Sequence, residues 1–128
     1  MSTETIVKKF RSMEDGLRYA GRRDAKLVYI CAPYDGDPLQ YFCRIQDYCW
    51  TALRSHCVPV VPYLMYSYVI TAFDGDAESL EANCAHTLLT QCDELWLFGG
   101  RLTAEMQEEI NLASLWGIPV RIKHRIFE

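Results

Sequence analysis

The chain has six cysteines but no Cys-x-x-Cys pair and no Cys/His cluster at zinc-ligand spacing. That excludes the common structural zinc modules and the paired-thiol redox motif. No apolar run is long enough to span a bilayer. The most apolar stretch, 58–73, is broken by Pro59 and Pro62 and falls short of the ~20 residues a spanning helix needs. There is no excess of basic charge. The formal net charge is −4, which argues against a general nucleic-acid binder. Internal repeats, low-complexity tracts and linker-like stretches are also missing, so nothing in the sequence divides it into several globular units. With no signal-peptide pattern at the start, Cys31, Cys43, Cys49, Cys57, Cys84 and Cys92 are expected as free thiols in a reducing, cytoplasmic setting.

What is present suits one ordinary globular domain. The chain has 128 residues, half of them hydrophobic, enough for a single core. The charge is uneven. Residues 1–26 carry seven basic and four acidic side chains, and the remainder carries six basic and thirteen acidic ones. A basic first segment can meet an acidic partner or simply form a solvated helix face. Ile6, Phe10, Met13, Leu17 and Ala20 recur at helical spacing within 4–21, so 1–25 is expected as an amphipathic helix ahead of a domain spanning 26–128.

From Lys26 onward strands and helices alternate. Lys26–Ala32 is nearly all apolar after its first residue, as a strand covered on both faces reads. A loop follows, in which Asp37 can cap a helix that has Pro38 at its first position. That helix is expected to run to about His56 with Phe42, Ile45, Cys49 and Leu53 inward. Val58–Val61 is a second strand, and 63–75 is expected as a loop or short helix over the carboxyl edge of the sheet. Asp76 or Asp74 can cap a helix to Gln91 with Leu80, Cys84 and Leu88 on one face. Glu94–Phe98 is a third strand, Thr103 caps a helix to Trp116, and Ile118–Ile122 is a fourth strand. Such alternation predicts an α/β domain with a parallel sheet, whose ligands bind beyond the carboxyl ends of the strands.

Glu109 is the most informative residue. Met106, Ile110 and Ala113 form the apolar stripe of the last helix, and Glu109 borders it, whereas Glu105 and Glu108 point further toward solvent. A carboxylate beside an apolar stripe is costly unless it is hydrogen-bonded or used. Tyr34 can stack on a ring or donate its hydroxyl, or pack at the strand end. Asp35 and Asp37 can bind hydroxyls, although capping suffices for Asp37. Gly99 and Gly100 let the backbone approach a ligand closely. Tyr63, Tyr66, Tyr68 and Phe73 can wall a pocket or form a subunit contact. Asp93 begins a strand, where a turn hydrogen bond is the expected role.

Three segments resemble the nucleoside 2-deoxyribosyltransferase superfamily, and most closely a small bacterial and phage branch of it. They are Val28-Tyr29-Ile30-Cys31-Ala32-Pro33-Tyr34, Cys92-Asp93-Glu94-Leu95-Trp96-Leu97-Phe98-Gly99, and the run Met106-x-x-Glu109-Ile110-x-x-Ala113-x-x-x-Gly117-Ile118-Pro119-Val120. The resemblance implies a Rossmann/flavodoxin-like three-layer fold with four parallel strands, or five. It also implies cleavage or transfer at the N-glycosidic bond of a nucleoside or nucleotide, with Glu109 as the nucleophile. Ala32, Pro33, Tyr34, Asp35, Gly99, Gly100 and Met106 would line the substrate. No metal or other cofactor is implied, and an oligomer, a dimer or larger, is. Three positions depart from the family pattern: Ala32 stands for a serine, Tyr63 for a histidine and Glu105 for a glycine. Two other expectations stay open: a non-catalytic module that binds a nucleotide or nucleotide-derived signal, and a protein-interaction domain that uses the N-terminal helix.

Overall fold

The computed structural model describes residues 24–34, 37–70 and 75–124, and of 67–70 the backbone only. The expected N-terminal helix, Asp35, Phe73 and the alternative cap Asp74 lie outside the described residues, as does the side chain of Tyr68.

The elements run β1 (Lys26–Cys31), α1 (Pro38–Arg54), β2 (Cys57–Val60), α2 (Pro62–Ile70), α3 (Ala77–Thr90), β3 (Glu94–Leu97), α4 (Ala104–Leu115) and β4 (Val120–Ile122). The four strands form one sheet in the order β2-β1-β3-β4. All pairings are parallel, with Tyr29 opposite Val60 and Leu95, and Leu95 opposite Val120. This is the three-layer α/β fold of the Rossmann/flavodoxin kind, in which strand order reverses beside the first strand.

Alternation along β1 divides the core into two layers. Val28 and Ile30 face one way, into a cluster with Tyr41, Ile45, Tyr48 and Ala52 of α1 and with Trp96 and Phe98. Tyr29 and Cys31 face the other way, into a cluster with Leu89 of α3 and with Met106 and Ala113 of α4. That is the period-two pattern of a strand covered on both sides.

The helix starts follow local chemistry. The Asp37 side chain accepts from the Leu39 amide at 3.0 Å, with Pro38 at the first helical position. Asp76 accepts from the Ser79 amide and hydroxyl. Thr103 accepts from the Met106 amide at 3.2 Å. Each cap satisfies an amide that the helix itself leaves unpaired.

Two helix faces differ from expectation. In α1 the buried ridge is Tyr41, Ile45, Tyr48 and Ala52, with Phe42 exposed. The two ridges share Ile45 and differ by a small rotation about the axis. The tyrosine ridge is the inward one because its rings find partners: Tyr48 stacks on Phe98 at 4.4 Å, and Tyr41 meets Tyr34 edge-on at 4.6 Å. In α3 the fully buried residue is Leu89, with Leu80, Cys84 and Leu88 half-buried. Of the stretch expected as a loop or short helix, the described part forms a short helix, the nine-residue α2 that begins at Pro62.

Among the described residues no helix is long and apolar enough to cross a membrane.

Candidate active site

The carboxyl ends of β1 and β3 lie side by side, Cys31 opposite Leu97. The chain leaving β1 turns toward β2, and the chain leaving β3 turns toward β4 on the other side. In sheets of this kind such a switch point is where a ligand crevice forms; here Pro33 of one loop packs against Gly99 of the other across it. The start of α4 lies on this edge.

Glu109 sits in the second turn of α4, on the side that faces β1. Its Oε1 lies 3.8 Å from the Cys31 thiol, which also reaches the Met106 carbonyl at 4.0 Å. The Tyr29 phenol, on the same face of β1 as Cys31, is the other neutral group that acts on this carboxylate. Glu109 is half-buried, whereas Glu105 and Glu108 are exposed. Burial pushes the Glu109 carboxyl up to about 7; the Tyr29 and Cys31 donors pull it back, and the Glu105 and Glu108 charges add to the rise. Burial, reinforced by the Glu109 charge, pushes the Tyr29 phenol and the Cys31 thiol well above their ordinary values. Both stay protonated, as donors to the carboxylate, throughout the neutral range.

Three tyrosines from three segments meet above this point. Tyr34, in the loop after β1, packs on Tyr63 of α2 with ring centres 4.1 Å apart. Their hydroxyls hydrogen-bond to each other. Tyr41 of α1 meets Tyr63 edge-on at 5.2 Å. Its phenol is pushed up chiefly by burial, then by the neighbouring Tyr63, Glu109 and Tyr34, so the cluster lies within electrostatic reach of the Glu109 carboxylate. Burial and the Tyr34 hydrogen bond push Tyr63 up to about 12, with a small contribution from Glu81 of α3.

The remaining expected residues have definite places. Pro33 is buried, and a Cβ at Gly99 would stand 2.4 Å from its Cδ. The two loops thus touch at a point where only glycine fits, and Gly99 and Gly100 both adopt positive φ. The Gly99 amide donates to Nδ1 of His124 at 3.1 Å, so it does not stand open to a ligand. Ala32 packs half-buried against the α1-side core. Met106 is 1% exposed and belongs, with Cys31, to the α4-side core; its backbone carbonyl accepts from the Cys31 thiol. Asp93 lies at the opposite edge of the sheet, where its carboxylate accepts from the Leu27 amide at 2.8 Å, the turn bond expected for it.

Tyr29, Cys31, Tyr41 and His124 were not singled out by sequence reasoning. The first two carried a usable signal. They alternate on β1, so both must face the same helix layer, and that layer includes the helix that holds Glu109. Tyr41 was hidden by the neighbouring Phe42 ridge. His124 follows a three-residue strand and belongs to no motif.

The six cysteines are free thiols. Among the described residues no group of three or more His, Cys, Asp or Glu is placed to hold a metal ion.

The family model for DUF7768, a domain of unknown function, matches residues 26–123, and the chain belongs to that family. No curated protein and no solved structure matches it.

Proposed function

We propose that this DUF7768 domain cleaves, or transfers across, the N-glycosidic bond of a nucleoside, with Glu109 as the nucleophile. The carrying observation is the placement of Glu109: half-buried at the carboxyl edge of the sheet, facing β1, with the Cys31 thiol 3.8 Å from its Oε1 and the Tyr29 phenol acting on its charge. A surface carboxylate would need no such neighbours.

In its ionised form the Glu109 carboxylate attacks the anomeric carbon. The carbon–nitrogen bond breaks, its electron pair leaves with the base, and the departing nitrogen takes up a proton. The resulting glycosyl ester is opened by water or by a second base. Tyr29 and Cys31 fix the carboxylate's orientation. The Tyr34–Tyr63 pair offers an aromatic wall for a planar base, and its hydroxyls can hold the leaving group. A neighbouring subunit completing the crevice belongs to the same proposal, and mass measurement in solution tests it.

The test is to incubate the protein with each 2′-deoxynucleoside and follow free base by chromatography. Base release is expected from the wild type and is lost in Glu109→Gln. Mass spectrometry of the denatured protein should then find a deoxyribosyl adduct on the peptide that contains Glu109. Release that persists in Glu109→Gln excludes the nucleophile role.

One observation favours a second reading, a non-catalytic nucleoside-binding module. The Glu109 carboxyl is pushed up to about 7, so at neutral pH it is protonated in a large fraction of molecules, a form suited to holding a ligand by hydrogen bonds. Thermal stabilisation by nucleosides without base release would distinguish it.

A further inference from the structure

We propose that the outer face of α1 is an interaction surface for a second copy of this chain, the two α1 helices packing antiparallel across a two-fold axis at Gln46. This contact does not depend on the glycosidic reading, and base release is no part of its test.

Helix α1 turns one ridge inward, Tyr41, Ile45, Tyr48 and Ala52. It carries a second apolar stripe on its outer side. There Leu39, Phe42 and Trp50 are 69%, 45% and 54% exposed, and Leu53 is half-buried. Phe42 and Leu53, expected inward from their spacing, belong to this outer stripe. Gln46 is exposed at its middle, and no charged residue interrupts it. A solvated helix face is ordinarily polar; an uncharged stripe with two large rings marks a contact surface.

The stripe is symmetric about Gln46. Phe42 and Trp50 lie four residues to either side, and Leu39 and Leu53 seven. A two-fold interface brings residue i against j and j against i. An antiparallel pair centred on Gln46 therefore sets Phe42 level with the partner's Trp50, and Leu39 level with the partner's Leu53. Steps of three and four keep these side chains on one seam, as helices packed side by side require.

Charge selects the same arrangement. Arg44 comes within one residue of the level of the partner's Asp47, and Arg54 within one residue of the level of the partner's Asp37. These side chains are all exposed. The two Asp47 carboxylates flank the axis with an Arg44 from each chain beside them. Arg54 lies 6.0 Å from the centre of the Trp50 ring, so its charge stands at the rim of the stripe. A parallel pair in register would set like charges level with like and align the two helix dipoles.

The size of the contact also fits. Along the 17 residues of α1, about 25 Å, the pair buries on the order of 1,000 Å² in all, the lower limit for a specific interface. The dimer is therefore expected to dissociate in the micromolar range.

Sedimentation velocity from about 1 to about 200 µM tests this. The wild type is expected to pass from monomer toward dimer across that range. Phe42→Lys and Trp50→Glu should each weaken dimerisation by about tenfold or more. Both positions are exposed, so far-UV circular dichroism should show the fold intact. Mixed in equal amounts, the two variants should dimerise again. The antiparallel register sets the introduced lysine level with the introduced glutamate and leaves one Phe42–Trp50 layer unaltered, whereas a parallel register restores neither. Leu115→Glu, at an exposed apolar position on another helix, should leave the dimer in place. A wild type that is monomeric throughout, a dimer that survives Phe42→Lys and Trp50→Glu, a mixture that stays monomeric, or a dimer lost in Leu115→Glu overturns the proposal.

Discussion

The Cys31 thiol lies 3.8 Å from Oε1 of Glu109, and the two residues come from the first strand and the last helix of the domain. A buried thiol and a half-buried carboxylate in contact form a pair in which the thiol can only donate, because its own ionisation is suppressed by burial and by the neighbouring charge.

Base release should depend on pH through this carboxylate. A nucleophile must be ionised, and Glu109 is pushed up to about 7. Activity is therefore expected to rise as pH increases through about 7 and then level off. A pH profile of kcat/KM checks this; a fall through the same range would make Glu109 an acid rather than a nucleophile.

Tyr29→Phe removes a donor that holds the Glu109 carboxyl down, so the midpoint of that profile should move upward. Activity at pH 7 should fall, with much of it recovered near pH 8.5. A loss equal at every pH would mean that the phenol acts by another route.

Stability should carry the opposite signature at the same residue. A carboxyl raised from 4.5 to about 7 by folding favours the folded state fully below about 4.5, and that contribution is lost as pH rises through 7. Glu109→Gln, which does not titrate, should therefore gain on the wild type by about 1–3 kcal/mol between pH 4.5 and 8. Calorimetric melting across that range measures it.

Glu94 should behave in reverse. Its carboxylate binds Lys26 Nζ at 2.8 Å and accepts from Trp96 Nε1 at 2.9 Å, with Arg121 Nε 3.4 Å away. The Lys26 and Trp96 hydrogen bonds hold it down at about 2. Its contribution is present above about 4.5 and lost as pH falls toward 2. Lys26 and Arg121 are exposed, so solvent screening keeps the effect to about 1–2 kcal/mol. Urea melts of Glu94→Gln against wild type should differ at pH 7, draw together as pH falls below about 4.5 and converge only below about 2.

Gly99→Ala should be severe. The added carbon would meet Pro33 Cδ at 2.4 Å on a backbone at φ +95°, so both space and conformation oppose it. A loss of about 2–4 kcal/mol is expected in denaturant unfolding. Gly117→Ala has the positive φ but open space around it and should cost about 1 kcal/mol.

Much of this architecture was legible in the sequence because strand and helix signals alternate and each cap is a local event. Asp37, Asp76 and Thr103 act on amides two or three residues away, which a linear reading can see. The inward face of α1 was not legible. Phe42 and Tyr41 are both credible core residues, and the choice between them depends on Tyr34, Phe98 and Tyr63 arriving from elsewhere. For the site, the border position of Glu109 followed from helical spacing, but its partners on β1 required knowing which strand lies under α4. His124 closing on the Gly99 amide joins positions 25 apart and left no trace in composition or periodicity.

Cys31 and Glu109 are separated by 78 positions along the chain. No short peptide or half-length fragment can therefore present both, and excised segments should be silent in any assay of the crevice. Conversely, the chain can be nicked in the exposed turn at 55–56 without parting either residue from the element that carries it. Two such pieces, mixed and allowed to reassociate, should regain the crevice only to the extent that β1 re-registers beside β3.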